Sequence, residues 1–190
     1  MKLTTYELVL CALCAAVTCI LAPISVPLAG EVPISLATFA VLLSGILLGA
    51  KFGAISQLIY VLLGSVGVPV FAGWTGGIGI TLGVTGGYII GYIPMAFIAG
   101  LLYHRYGREA SGALKYSVMI VSMILATAAL YILGTAWFMA QTGMTLGASL
   151  AACVIPFLPG DLLKIAAVAI VTVPIEAALK KTAPVNQGAM

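Results

Sequence analysis

The chain has 190 residues, of which 63% are hydrophobic and 7% are charged, and its mean hydropathy is +1.23. These values lie far outside those of a soluble globular domain and predict an all-α integral membrane protein. The length suffices for about six spans of ~20 residues. The net charge of +3 does not indicate a nucleic-acid partner, because the basic residues are spread over short loops.

Six apolar segments are predicted to be membrane-crossing helices. They run near Tyr6–Ala22, Ile34–Leu48, Phe52–Gly67, Gly83–Tyr103, Lys115–Gln141 and Gly160–Leu179. The second segment is short, so we expect it to be tilted or partly buried. Residues 1–190 are therefore predicted to form a single six-helix transmembrane domain.

The distribution of cations predicts the orientation of these helices. With six spans and a cytoplasmic N-terminus, seven of the eight Lys and Arg residues fall on the cytoplasmic side, and so does the C-terminus. Those seven are Lys2, Lys51, Arg105, Arg108, Lys115, Lys180 and Lys181. The arrangement satisfies the positive-inside rule and predicts a multi-pass membrane protein with both termini in the cytoplasm.

Neither a metal centre nor a catalytic centre is expected. Cys11 and Cys14 form a Cys-x-x-Cys pair, but a zinc site would need further ligands at the same depth. They are interpreted as small apolar side chains in a helix. His104 is the only histidine and falls in a basic loop, where no nucleophile and base can be assembled around it. The chain also has no phosphate-binding loop of the Gly-x-x-x-x-Gly-Lys-Ser/Thr type.

The predicted extracellular connections are long, apolar and rich in proline and glycine. They cover Pro23–Pro33, Val68–Leu82 and Thr142–Pro159, and Glu31 is their single charge. Solvated loops are normally polar, whereas apolar irregular backbone near a membrane is tolerated when it is buried in protein or lines a cavity. These segments are therefore predicted to cap an outward-facing pocket.

Glycine is concentrated beside this predicted cap. Ten of the 22 glycines fall between Gly64 and Gly91. Glycine allows close backbone approach, which would let Gly86 and Gly87 contact a ligand. Gly83, Gly87 and Gly91 also repeat at the spacing of a helix-packing motif. The sequence supports both interpretations equally.

Two charges lie inside an otherwise uncharged stretch of sixty residues, 116–175. They are Asp161 and Lys164, at the start of the last predicted span. Ionisable groups at membrane depth are costly, so they are retained mainly for a function. A separation of three residues places both on one helical face, with Lys164 about 4.5 Å deeper than Asp161.

Two interpretations of this pair remain open. It is either a structural ion pair with a helix N-cap, or a site for a small molecule that carries an anion and hydrogen-bond donors. In the second case Lys164 would hold the anion and Asp161 would accept N–H or O–H bonds. Trp74, Tyr88 and Tyr131 are then candidate apolar walls with polar tips, although each could be an interfacial anchor.

Four runs of the sequence resemble the BioY family. They are VPISLATFAVLLSGILLGAKFG at 32–53, GVPVFAGWTGGIG at 67–79, GVTGGYIIGY at 83–92 and PFLPGDLLK at 156–164. Two positions depart from the pattern, with Ala37 where a Gln is expected and Val84 where a Pro is expected. Neither departure touches Asp161 or Lys164.

The resemblance implies a biotin-specific substrate-binding (S) component of an energy-coupling factor (ECF) transporter in a prokaryotic cytoplasmic membrane. Such a protein binds biotin outside the cell and delivers it together with a transmembrane coupling subunit and two ATP-binding-cassette ATPases. Lys164 would then hold the biotin carboxylate and Asp161 the ureido N–H groups. Ala12 and Ala16 match an Ala-x-x-x-Ala motif through which S components dock on the coupling subunit. No cofactor is expected on this chain, since ATP is used by the partners.

The main alternative is a secondary carrier that moves biotin or another carboxylate-bearing vitamin alone. The sequence shows no second half that mirrors the first and no second buried acid to relay a cation. A membrane enzyme and a structural scaffold are the remaining possibilities, and neither accounts for an apolar cap over a charge pair.

Overall fold

A computed structural model describes residues 4–26 and 32–182 of the chain. Within these ranges the chain forms the helices α1 (Thr5–Leu21), α2 (Ala37–Ser65), α3 (Ile78–Thr81), α4 (Gly86–Tyr106), α5 (Gly112–Thr142), α6 (Leu146–Cys153) and α7 (Leu158–Thr182). Short strands β1 (Ser25–Val26) and β2 (Ile34–Ser35) pair antiparallel. Lys2, Pro27 and Glu31, which entered the sequence predictions, lie outside the described residues.

Several of these helices are long and apolar enough to cross a membrane. By length and composition, four segments of the described chain qualify, namely Ala37–Ser65, Gly86–Tyr106, Gly112–Thr142 and Leu146–Leu179. Helix α1 is a shorter apolar helix of 17 residues. Large apolar side chains such as Ile132 and Leu163 are 70% and 72% exposed, as expected of a surface that faces lipid. The prediction of a mostly helical, multi-pass membrane protein is confirmed, and the number of six spans stays a prediction.

Helix α2 contains a sharp reversal at Gly49, where φ is 78° and ψ is −179°. The reversal divides α2 into a first arm, residues 37–48, and a second arm, residues 50–65. The Gln57 Nε2 donates to Ser44 Oγ over 2.7 Å, although a straight helix would separate these residues by about 20 Å. The two arms therefore lie antiparallel, and they correspond to the second and third predicted spans.

Helix α4 lies at the centre of the bundle, between α2 and α5. A Cβ added to Gly45 would lie 2.5 Å from the Ala96 carbonyl oxygen, and one added to Gly100 would lie 2.4 Å from the Gly49 carbonyl carbon. Such distances leave no room for a side chain, so the backbones of α2 and α4 touch directly. Small residues allow this approach, which is a common way for helices to associate in membranes.

The connections predicted to be irregular contain more regular structure than expected. The first holds β1, which pairs with β2 directly after the connection, the second holds α3, and the third holds α6. Helix α7 begins at Leu158, directly before Pro159, although a proline generally disfavours helix in the residue that precedes it. A proline in the first turn of a helix leaves no intrahelical hydrogen bond unmade, which explains this start.

The bundle has two chemically different ends. The basic end carries Lys51, His104, Arg108, Lys115 and Glu176, which lie around one cavity or contact one of its residues. The loop end carries β1, β2, α3 and α6. Apart from Lys164, the described cations lie towards this end, in agreement with the positive-inside prediction, while the side of the membrane that this end faces stays a prediction.

Candidate ligand-binding site

Asp161 and Lys164 form an ion pair at the start of α7. Asp161 lies in the first turn of the helix and is 6% exposed. The Lys164 Nζ donates to Asp161 Oδ1 over 2.9 Å. The two side chains share one helical face, as the spacing of three residues predicted, and the structure brings them into direct contact.

Two further side chains, from other helices, complete a polar network around the pair. The Thr38 hydroxyl, in the first turn of α2, donates to Asp161 Oδ1 over 3.0 Å and accepts from Lys164 Nζ over 3.0 Å. The Tyr131 hydroxyl, on α5, donates to Asp161 Oδ2 over 2.5 Å. Both carboxylate oxygens are thus hydrogen-bonded, which offsets the cost of burying the charge.

The network leaves one donor of Lys164 available. An ammonium group has three N–H donors, and the described residues accept two of them, at Asp161 and Thr38. The remaining N–H can bind an anion that approaches from beside the network. A carboxylate also offers about four lone-pair sites, so Asp161 can accept a further hydrogen bond.

A cavity of about 240 Å³ lies at the loop end next to this network. Its lining comes from the segment around β2, the segment after α2, the second arm of α2, and α4, and includes Ser35, Tyr60, Phe71, Tyr88 and Tyr92. Asp161 and Lys164 do not line it. Tyr92 connects the cavity with the polar network, because it lines the cavity and lies within electrostatic range of the Asp161 carboxylate.

The loop segments hold each other over this cavity. The Gly73 backbone N–H donates to the Pro23 carbonyl over 3.1 Å, and that of Gly77 donates to the Gly64 carbonyl over 2.7 Å. Phe71 is 1% exposed and packs edge-on against Tyr60. These contacts hold the loop segments together beside the cavity, while a cap over an outward-facing pocket stays a prediction.

The predicted aromatic walls occupy different environments. The Tyr88 side chain is buried, and its hydroxyl hydrogen-bonds Thr135 and donates to the Cys153 carbonyl. Tyr131 belongs to the Asp161 network. Trp74 is 67% exposed, has a positive φ of 61°, and is not among the residues that line the cavity.

Gly86 and Gly87 pack against different neighbours. A Cβ added to Gly87 would lie 2.2 Å from the Trp137 Cβ on α5, whereas one added to Gly86 would lie 2.0 Å from the Thr81 carbonyl oxygen on α3. Gly91 similarly faces Leu130. These contacts favour the helix-packing interpretation at Gly87 and Gly91, and ligand contact by Gly86 or Gly87 stays a prediction.

The remaining predicted residues lie on α1. Ala12 and Ala16 are both exposed on one face of this helix, so a partner can reach them. Cys11 and Cys14 are free thiols, and within the described ranges no group of three or more His, Cys, Asp or Glu side chains could hold a metal ion.

Sequence reasoning missed Thr38 and Tyr92. Thr38 is the only polar residue between Ala37 and Leu43. A lone polar side chain in an apolar helix is a signal that could have marked it as a candidate site residue. Its partners Asp161 and Lys164 are more than 120 residues away in sequence, with separations of 123 and 126. Nothing in the local pattern indicated that contact.

Fold and network together define the class of protein: a multi-pass helical membrane protein with a polar site built beside a capped apolar cavity. The sequence model of the BioY family matches residues 1–181, and the chain belongs to this family.

Two relatives of the chain are described as biotin transporters. The chain is 40% identical over 165 residues to the probable biotin transporter BioY of Pyrococcus horikoshii, with 87% of this chain and 93% of the relative covered. It is 36% identical over 148 residues to the biotin transporter BioY of Rhodobacter capsulatus, with coverages of 74% and 77%.

A solved structure is also similar. The crystal structure of the S-component for biotin from an ECF-type ABC transporter superimposes with a TM-score of 0.81 and 29% sequence identity. The similarity covers 95% of both chains. The likeness therefore extends over the whole bundle, including both ends.

Proposed function

We propose that this chain captures biotin and serves as the substrate-specificity subunit of an ATP-driven ECF transporter in the cell membrane. It is a transport protein of the BioY family and not an enzyme. The observation that carries the assignment of the site is the buried network of Asp161, Lys164, Thr38 and Tyr131 beside the capped cavity. The ligand is bound whole, and this chain contributes no catalytic group and no cofactor.

The chemistry of biotin is complementary to this network. Its carboxylate matches the free N–H of Lys164, and its ureido N–H groups match the remaining acceptor capacity of Asp161. Its thiophane ring and valeryl chain are apolar and suit a cavity lined by Tyr60, Phe71 and Tyr92. The cavity of about 240 Å³ is below the roughly 300–1,000 Å³ typical of small-molecule sites, so we expect the cap to adjust when biotin enters.

The proposed partners are a transmembrane coupling subunit and two ABC-type ATPases. Small residues on an exposed helix face permit close approach of another helix, and Ala12 and Ala16 supply such a face on α1. ATP is then hydrolysed on the partner chains. The alternative, a carrier that works alone, predicts biotin uptake into proteoliposomes that contain this chain without the ATPase module.

Calorimetric titration of the detergent-purified chain with biotin tests the binding role. We expect tight one-to-one binding that Lys164→Ala and Asp161→Asn each weaken. Lys181→Ala is the matched control, because Lys181 is an exposed lysine on the same helix. Absence of binding by the folded wild-type chain would refute the proposal, and equal losses in all three variants would refute the assigned site.

A further inference from the structure

A second cavity, of about 490 Å³, lies at the basic end of the bundle. Four segments meet around it: the start of α1, the turn at Gly49, the end of α4 and the last turns of α7. Its polar lining consists of Tyr6, Glu7, Lys51, His104, Arg108 and Glu176, and its apolar lining includes Leu10, Leu47, Leu48 and Leu179. Along α7 it is about 22 Å from Asp161, so it is separate from the site described above.

The two carboxylates of this cavity already have hydrogen-bond donors. Glu176 accepts from Lys115 Nζ over 2.5 Å and from the Tyr103 hydroxyl over 2.9 Å. Glu7 accepts from the backbone N–H and the hydroxyl of Thr4, over 2.8 and 2.9 Å, in a capping box at the start of α1. Neither carboxylate lies within 4.0 Å of Lys51 or Arg108.

Arg108 is held in place by an uncharged group. His104 Nε2 lies 2.9 Å from the Ile46 carbonyl oxygen, which can only accept, so the proton is on Nε2. His104 Nδ1 is then an acceptor for Arg108 Nη1 at 3.4 Å. The other N–H donors of the guanidinium have no hydrogen-bond partner among the described residues, and Lys51 forms no ion pair there either.

We propose that this cavity binds a phosphate group attached to an apolar body, as in a membrane phospholipid whose head group sits between Arg108 and Lys51. The guanidinium presents a planar fork that matches phosphate oxygens, and Lys51 adds a second positive charge. The leucines of the lining accommodate the adjoining acyl segments. Basic pockets between membrane helices are known to bind lipid head groups in this way.

The remaining charges limit the kind of phosphate. Glu7 stands at the edge of the cavity within electrostatic range of Lys51, and it repels additional negative charge. A singly charged phosphodiester therefore fits better than a head group with several phosphates. This inference does not depend on biotin binding at the other end.

The test is a titration of the detergent-purified full chain with three probes: phosphatidylglycerol, diacylglycerol and inorganic phosphate. Binding is followed by native mass spectrometry and by the thermal midpoint. We expect phosphatidylglycerol to bind and to raise the midpoint, while diacylglycerol does not. Arg108→Gln and Lys51→Gln should each weaken binding by about tenfold or more, the loss typical of a charge-assisted hydrogen bond.

Arg105→Gln is the matched control, because Arg105 is an exposed arginine at the same helix end that does not line the cavity. It should bind phosphatidylglycerol like the wild type, and a wild-type elution volume in size-exclusion chromatography together with a cooperative thermal transition shows that each variant is folded. If inorganic phosphate binds as tightly as phosphatidylglycerol, the phosphate site stands and its ligand is a soluble phosphate. Equal binding of phosphatidylglycerol and diacylglycerol, or equal losses in Arg105→Gln and Arg108→Gln, would overturn the proposal.

Discussion

The two ion pairs of the described chain lie towards opposite ends of helix α7 and are built differently. Asp161 and Lys164 are neighbours on one helix, and Thr38 and Tyr131 reach them from two others. Lys115 and Glu176 belong to different helices, α5 and α7, and Tyr103 adds a contact from α4. Only the second pair joins helices through its own salt bridge.

We interpret this difference as the difference between a ligand-binding ion pair and a structural ion pair. A pair within one helix forms with little constraint on the rest of the bundle, so its charges can be offered to a ligand. A pair between helices fixes their relative position and has both partners engaged. Under the proposed function the loop-end pair binds the ligand, and we expect the basic-end pair to stabilise the bundle. Glu176 is also a second largely buried acid, which the sequence analysis did not expect.

The largest expected effect is on biotin affinity in Lys164→Met. Loss of the ammonium removes the proposed partner of the ligand carboxylate, and we expect affinity to fall by about 100-fold, in the range measured for charge pairs at binding sites. Biotin methyl ester lacks the charged carboxylate, so its affinity should fall much less than that of biotin in the variant. Titrating both ligands into both proteins measures the coupling energy between Lys164 and the ligand carboxylate. An undiminished preference for biotin over its methyl ester in the variant would contradict this contact.

Glu176→Gln should act on stability instead of binding. The change leaves the Lys115 ammonium without its counter-charge. Because the Lys115 side chain is only 17% exposed, we expect the free energy of unfolding to fall by about 2–3 kcal/mol. Biotin affinity should stay within about twofold of the wild type. Thermal unfolding in detergent measures the loss of stability, and Glu109→Gln is the control because Glu109 is exposed. A large loss of biotin affinity in Glu176→Gln would contradict the contrast between the two ends.

Gly87→Ala tests whether the glycines beside the cap serve packing or ligand contact. The added methyl would lie 2.2 Å from the Trp137 Cβ and force α4 away from α5, so we expect a stability loss of about 1–3 kcal/mol. Gly147→Ala is a suitable control, because a Cβ there meets nothing within 4 Å. A variant with normal thermal stability and weakened biotin binding would favour the ligand interpretation.

The smallest effect is expected for Thr38→Val. This change removes the hydroxyl that bridges Asp161 and Lys164 but keeps the shape of the side chain, so affinity should fall by about tenfold, which corresponds to one hydrogen bond to a charged group. Thr142→Val removes a hydroxyl that bonds only nearby backbone, donating to the Phe138 carbonyl and accepting from the Met144 N–H, and is the comparison. Calorimetry of the two variants distinguishes them, and equal affinities would show that Thr38 does not position the pair.

The sequence predicted the helices better than their ends and connections. The observed helix Gly112–Thr142 extends the predicted Lys115–Gln141 by a few residues, because hydropathy marks the apolar stretch and not the capping residues around it. Helix α6 was missed, since eight small and apolar residues carry no strong periodic signal. The ribbon of β1 and β2 was also missed, because strands of two residues are defined by their pairing and not by their own pattern.

By itself the sequence determined the class of protein, the approximate positions of the helices and the contact of Asp161 with Lys164. Each of these depends on composition or on helical spacing over a few residues. Only the tertiary structure decided that Thr38 and Tyr131 complete the network, that Gly87 faces Trp137, and that Glu176 is held by Lys115 and Tyr103. Those contacts depend on how helices pack against one another, and helix packing is set by the shapes of surfaces that are distant in sequence.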